Sequence, residues 1–209
     1  MAELECYGII TDDWAAELRK AINAVPAAEP LELRISSPGG MLSAGVTAYN
    51  LLRNSQREVH AYLDGDAFSA ATLLVCAADY TEMPSNCLMM IHEPFVPLIS
   101  PATIQETEST LRYLKATRSQ VVDIYSDKTK MGKQKIRNML RAETYFDAGA
   151  ALDAGLVNNV TSMSHNIQNL ALEQYQVRDE TKLAEMLGRR TIPQRDLQDR
   201  LQKLGVNVL

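Results

Sequence analysis

The stretch EVHAYLDGDAFSAATLLVCAADYTEMP, residues 58–84, decides the fold. EVHAYLDG (58–65) reads as a strand stopping at a glycine, ATLLVCAAD (71–79) as a buried helix, and YTEMP as a short strand and turn. The same succession appears on either side. Upstream, DDWAAELRKAINAV (12–25) sets Trp14, Leu18, Ile22 and Val25 at helical spacing. LELRIS (31–36) then alternates Leu31, Leu33 and Ile35 as a strand does, SPGG reads as a turn, and MLSAGVTAYNLLRN (41–54) reads as a second helix. Downstream, CLMMIHEP (87–94) is an apolar strand ended by Pro94. Repeated alternation of strand and helix predicts an α/β fold with mostly parallel strands and right-handed crossovers. In such sheets functional groups gather where strands end, so residues 36–40, 65–70 and 91–94 are expected to converge on one edge.

Beyond residue 100 the character changes. Residues 103–130 form a long helix with a narrow apolar stripe of Ile104, Leu111, Leu114, Val121, Val122 and Tyr125, suited to packing against another subunit as much as against its own core. A short helix (133–141) leads into AETYFDAGAALDAGLVNNV (142–160), where Asp147 is placed to cap a helix, Gly155 to end it and LVNNV to form a last strand. Residues 1–161 are thus read as one domain and 162–209 as a polar, partly helical C-terminal arm.

The totals narrow the function classes. A chain of 209 residues with 46% hydrophobic and 22% charged residues has the composition of an ordinary globular protein. A net charge of -5 without basic blocks argues against nucleic-acid binding. The N-terminus carries acids where a secretory signal has a basic start, and no apolar run is long enough to span a bilayer. Three cysteines, Cys6, Cys76 and Cys87, sit in apolar surroundings and read as buried free thiols of a reducing compartment. The expectation is a soluble, cytoplasmic protein.

Three pieces of chemistry stand out. Ser69, between small residues at a strand-to-helix junction, is either a helix N-cap or a nucleophile whose neighbour Ala70 offers a backbone N–H to an oxyanion. The glycines of SSPGG (36–40) are either a turn or a place where backbone N–H groups face a substrate. His92 is the histidine at a strand end, whereas His60 lies inside a strand and His165 in the polar arm. HEPF lacks the second histidine of a zinc motif and no other ligand stands at a suitable spacing, so neither a metal nor a cofactor is expected.

Taken in order, SPGG, G-x-A-x-S-A-A, MIH-x-P and E-T-Y-F-D-A-x-x-A-L-D-A-G-L-V resemble the Clp protease proteolytic-subunit (ClpP) family of serine peptidases. The spelling is especially similar to the phage prohead, or head-maturation, branch. The resemblance runs from about Tyr7 to Val160 and implies a ClpP/crotonase-like fold of repeated β-β-α units with a long handle helix. It implies Ser69 as nucleophile, His92 as general base, and the N–H groups of Gly40 and Ala70 as oxyanion hole. Met41 and Leu42 would lie on the edge that receives a peptide, which moves the start of the second helix a few residues past Met41. Members form rings, commonly heptamers stacked in pairs, that act on polypeptides, either fed by an ATPase or, in the phage branch, on scaffold and capsid precursors. A short N-terminal segment favours the latter. Where the family has an aspartate this chain has Glu143, with Asp147 as rival; Phe68 and Glu93 also depart from the family pattern. Loss of efficient turnover, leaving a ring-forming assembly protein, is the non-catalytic alternative.

Overall fold

The structure, a computed structural model, describes residues 3–96 and 103–162. Seven strands and six helices alternate along these residues: β1 (Glu3–Ile10), α1 (Asp12–Ala24), β2 (Leu31–Gly40), α2 (Leu42–Asn54), β3 (Val59–Phe68), α3 (Ala71–Ala77), β4 (Tyr80–Pro84), β5 (Met89–Ile91), α4 (Ile104–Thr129), α5 (Lys133–Arg141), β6 (Thr144–Phe146), α6 (Ala148–Asp153) and β7 (Asn159–Thr161). The expected α/β architecture is present. One sheet runs β1-β2-β3-β4-β7 with every neighbouring pair parallel, and β5 joins β3 in parallel while pairing antiparallel with β6.

β3 is the pivot of this sheet. Its first half pairs with β4 through His60–Tyr62, and its last residues, Ala67 and Phe68, pair with β5 instead. The strand therefore continues past Gly65, the glycine at which the sequence predicts its end. Gly65 has no side chain, and a Cβ there would lie 2.5 Å from the Ser36 hydroxyl of the neighbouring strand. SPGG is likewise no turn. β2 runs through Gly40, with register shifts after Tyr7 and Ile35 that absorb its departure from regular pairing. Ser37 holds this irregular stretch together: buried, it donates to the Gly8 carbonyl at 2.6 Å and accepts from the Gly39 N–H at 3.0 Å.

Helix α2 starts at Leu42, with Met41 extended at its N-cap, and the later start implied by the resemblance is not seen. The Met41 N–H pairs with the Ile10 carbonyl, so the chain has left the sheet by the next residue. Two strands carry little local signal in the sequence. β1 alternates buried Leu4 and Cys6 with exposed neighbours, a period-2 signal obscured by its glutamates; β6 has three residues, too few for any period. The apolar segment at 87–94 supplies only three strand residues, and the last strand is Asn159–Thr161 rather than the whole of LVNNV.

The core lies between the sheet and α1, α2 and α3, where Leu31, Leu33, Ile35, Leu63, Leu73 and Leu74 are fully buried. Burial of each such side chain contributes about 1.5–3 kcal/mol. Helix α3 is buried along its whole length and is tied to α4 at both ends: Thr72 meets Tyr125 at the start, and Lys128 Nζ donates to the Ala78 carbonyl at the finish. Helix α4 has a full capping box, Thr103 with Glu106. Only its second half docks, through Val121, Val122, Ile124 and Tyr125; Ile104 and Leu111 in its first half stay exposed. Asp147 accepts from the Ala150 N–H at 2.8 Å, the capping task expected of it, and Gly155, at φ +72°, follows the C-cap of α6 at Ala154. The polar arm read from Ser162 lies outside the described residues from residue 163 onward.

Two substitutions give the scale of these restraints. Removing the Asp147 cap in Asp147→Ala is expected to cost about 1 kcal/mol. A Cβ on Gly40 would stand 2.2 Å from the Ile10 carbonyl oxygen, a backbone atom unable to step aside. Gly40→Ala is therefore expected to cost about 3 kcal/mol or more, measured by denaturant unfolding of both variants beside the parent chain.

Candidate active site

The three strand-end segments do converge. Ser69 follows β3, the glycines close β2, and His92 follows β5, all at the C-terminal edge of the sheet. Because β5 pairs with the tail of β3, the Ser69 N–H donates to the Met90 carbonyl at 2.8 Å, and His92 comes alongside two residues later. The His92 Nε2 atom lies 2.7 Å from the Ser69 hydroxyl oxygen. Ser69 is not the N-cap of α3, a place taken by Ala70, and its hydroxyl faces an imidazole.

Ser69 is held in the left-handed region at φ +54°, unusual for a residue with a side chain. Both of its backbone polar groups are anchored. The N–H is used by Met90, while the carbonyl accepts from the Thr72 N–H at 3.0 Å and from the Thr72 hydroxyl at 2.6 Å. Gly39 permits the close approach of β2 to this turn. A Cβ at Gly39, where φ is +90°, would lie 2.6 Å from the Phe68 carbonyl, 2.8 Å from the Ser69 Cβ and 3.0 Å from the Ala70 nitrogen. Gly39 rather than Gly40 thus borders the serine directly, and its N–H is taken by Ser37. The sequence named the pair of glycines but not this division of labour.

Burial lowers the His92 imidazole below its ordinary pKa, and the Glu143 carboxylate pulls it partway back. At neutral pH the ring is therefore uncharged and able to accept a proton. The Phe95 ring, 5.7 Å away, contributes to its cover. Glu93, the charged neighbour, bonds Arg118 of α4 at 3.0 Å, and its N–H is anchored on the Leu140 carbonyl.

Glu143 is not in hydrogen-bond contact with His92. Exposed and at φ +50°, it accepts from the Tyr145 hydroxyl at 3.2 Å, and it acts on His92 through its charge alone. Asp147 is occupied as a helix cap. Phe68, the residue before Ser69, packs edge-on against Tyr145 with ring centroids 6.1 Å apart. Met41 is exposed and Leu42 packs partly on the core. His60 pairs instead with Glu58 on the sheet.

Among the described residues no cluster of three His, Cys, Asp or Glu side chains stands where it would hold a metal ion, and no helix is long and apolar enough to cross a membrane. The three cysteines are buried, and desolvation pushes each thiol up to about 12, so they remain protonated and unreactive. A serine hydroxyl bonded to a neutral imidazole, beside a backbone N–H at a strand-to-helix junction, is the arrangement that base-assisted nucleophilic attack on a carbonyl requires.

Comparison with known proteins points the same way. A family model described as Clp protease matches residues 5–164. The chain is 27% identical over 158 residues to the ATP-dependent Clp protease proteolytic subunit 1 of Chlamydia abortus, covering 72% of this chain and 81% of that protein. It is 26% identical over 141 residues to the corresponding subunit 2 of Treponema pallidum, covering 66% and 70%. A solved structure of a ClpP1 point mutant from Listeria monocytogenes matches with a TM-score of 0.69 at 20% identity, over 80% of this chain and 95% of that one, and so shares the fold.

The electrostatics predict a titration. The His92 ring, followed by NMR of its carbon-bound protons, is expected to protonate at a pH below the ordinary imidazole value. Glu143→Gln removes the charge that favours the imidazolium, so the midpoint moves further down. A midpoint at or above the ordinary value, or an upward move in the variant, would contradict the assigned balance of burial and charge.

Proposed function

The chain belongs to the Clp protease family, and we propose that it is a serine endopeptidase in which Ser69 attacks the peptide carbonyl and His92 is the general base. The observation that carries this reading is the 2.7 Å contact between His92 Nε2 and the Ser69 hydroxyl. His92 takes the hydroxyl proton as Ser69 bonds to the carbonyl carbon, and then delivers it to the leaving amine. The tetrahedral oxyanion rests on backbone N–H groups, with Ala70 the donor next to the nucleophile and Gly40 the second. Water, deprotonated by His92, releases the acyl group and regenerates Ser69. Glu143 takes the third place as a field rather than a hydrogen-bonded partner, stabilising the imidazolium as it forms. Met41 and Leu42, where the chain leaves β2, line the edge that receives the peptide as an added strand. This chemistry needs no metal or nucleotide.

The reading extends to a ring of identical chains in the cytoplasm acting on polypeptides. The exposed first half of α4, with Ile104 and Leu111 on its surface, supports a contact with another subunit through this helix. For the cellular role, the relatives are named as ATP-dependent proteolytic subunits, which supports degradation fed by an ATPase. The finer reading of a phage capsid-maturation protease, cutting scaffold and capsid precursors, rests on motif spelling. Cleavage of a co-expressed capsid precursor without an ATPase would favour it; dependence on an unfolding ATPase would favour degradation.

The central test is labelling of the purified full chain with a fluorophosphonate probe, followed by mapping of the adduct. Label on Ser69, lost in His92→Ala, is the expected outcome. A folded oligomer that takes no label would place the non-catalytic assembly role first.

A further inference from the structure

Thr72 and Tyr125 meet 53 residues apart in sequence and inside the core, and neither has a part in the chemistry described above. The Thr72 hydroxyl oxygen lies 2.6 Å from the Ser69 carbonyl and 2.5 Å from the Tyr125 hydroxyl. Proton counting fixes the direction of this chain. A carbonyl only accepts, so the single Thr72 hydroxyl proton points to Ser69, and Tyr125 must then be the donor to Thr72. The order is Tyr125 O–H to Thr72 Oγ1, and Thr72 O–H to the Ser69 carbonyl. Both Thr72 and Tyr125 are buried, and burial pushes the Tyr125 phenol well above its ordinary range, so it keeps its proton at every working pH.

The Ser69 carbonyl belongs to the same peptide unit as the Ala70 N–H. That unit is planar and trans, as are all peptide bonds described here, so its C=O and N–H point in opposite directions. Whatever fixes the carbonyl also aims the N–H. Three groups act on this plane from the carbonyl side: the Thr72 hydroxyl, the Thr72 N–H and, behind them, Tyr125. On the opposite side Gly39 leaves open the space before the Ala70 nitrogen, which a Cβ would narrow to 3.0 Å. A carbonyl that accepts two hydrogen bonds also polarises its amide, making the attached N–H a stronger donor.

We propose that Thr72 and Tyr125 are positioning residues for catalysis: from the core they clamp the Ser69–Ala70 peptide and so aim the Ala70 N–H at the oxyanion. The proposal rests on the serine-peptidase reading above. It makes docking of α4, the helix that carries Tyr125, a condition of a well-formed oxyanion site. The second link from α4 to the site, Arg118 with Glu93, is about one-third exposed and partly screened by solvent. The buried clamp is therefore the stronger one.

The test separates positioning from folding. Thr72→Val removes the donor to Ser69 and leaves the Tyr125 hydroxyl buried without a partner, so it loses both stability and reactivity. Thr72→Ser keeps the hydroxyl and restores both. The double variant Thr72→Val with Tyr125→Phe removes the orphaned hydroxyl as well, and recovers most of the stability. Its reactivity should stay low, with fluorophosphonate labelling of Ser69 and kcat on a peptide substrate down about ten- to a hundredfold and KM little changed. Recovery of labelling and kcat together with thermal stability in the double variant would overturn the proposal and leave the pair a structural contact. Full activity in Thr72→Val would overturn it too. Absence of labelling in the parent chain would instead strike the peptidase reading itself, so the two failures are distinguishable.

Discussion

Everything at this site depends on one backbone residue held where side-chain-bearing residues rarely stay. Ser69 turns the chain from β3 into α3 at φ +54°, a conformation that costs about 1–3 kcal/mol and persists only where its surroundings over-determine it. They do so from three directions. β5 takes its N–H, Thr72 takes its carbonyl twice over, and Gly39 brings β2 against its Cβ where no other residue fits. The hydroxyl is thereby turned away from α3 and toward His92. A serine free to relax would fold its side chain back on the helix as an ordinary cap.

The electrostatic design has two levels. Around His92 the surroundings are partly desolvated: the imidazole pKa is lowered, and the adjacent charge of Glu93 is drawn off by Arg118. Farther out stands Glu143, exposed beside Tyr145, whose carboxylate reaches His92 only through its field. A charge acting through partly solvated space stabilises an imidazolium less than a buried hydrogen-bonded one. On the proposed peptidase reading the placement of the peptide groups then counts for more, and with it the clamp on the Ser69–Ala70 peptide. Helix α4 enters here as well as at its exposed end. Its buried half carries Tyr125 and Lys128 against the two ends of α3, so the helix that reaches outward also steadies the turn at the site.

Much of this was legible in the sequence. Apolar periodicity marked α1, α4 and the strand at Leu31–Ile35, since each buries one face against the core. Asp147 announced its cap and Gly155 the end of α6. Strand-helix alternation placed Ser69, the glycines and His92 at strand ends, and hence on one edge. Where the reading failed, neighbours overruled local signals. SPGG carries the composition of a turn but is paired on both sides, and β1 hides a regular alternation among charges.

Periodicity and capping are local properties of the chain, so the order of elements and the residue types that meet at the edge could be read without the fold. Folding in three dimensions set which of two glycines touches the serine, that Glu143 stands off from His92, and that Thr72 and Tyr125 join behind Ser69. These depend on distances between segments far apart in the chain, set by strand register and helix docking. No local pattern encodes them.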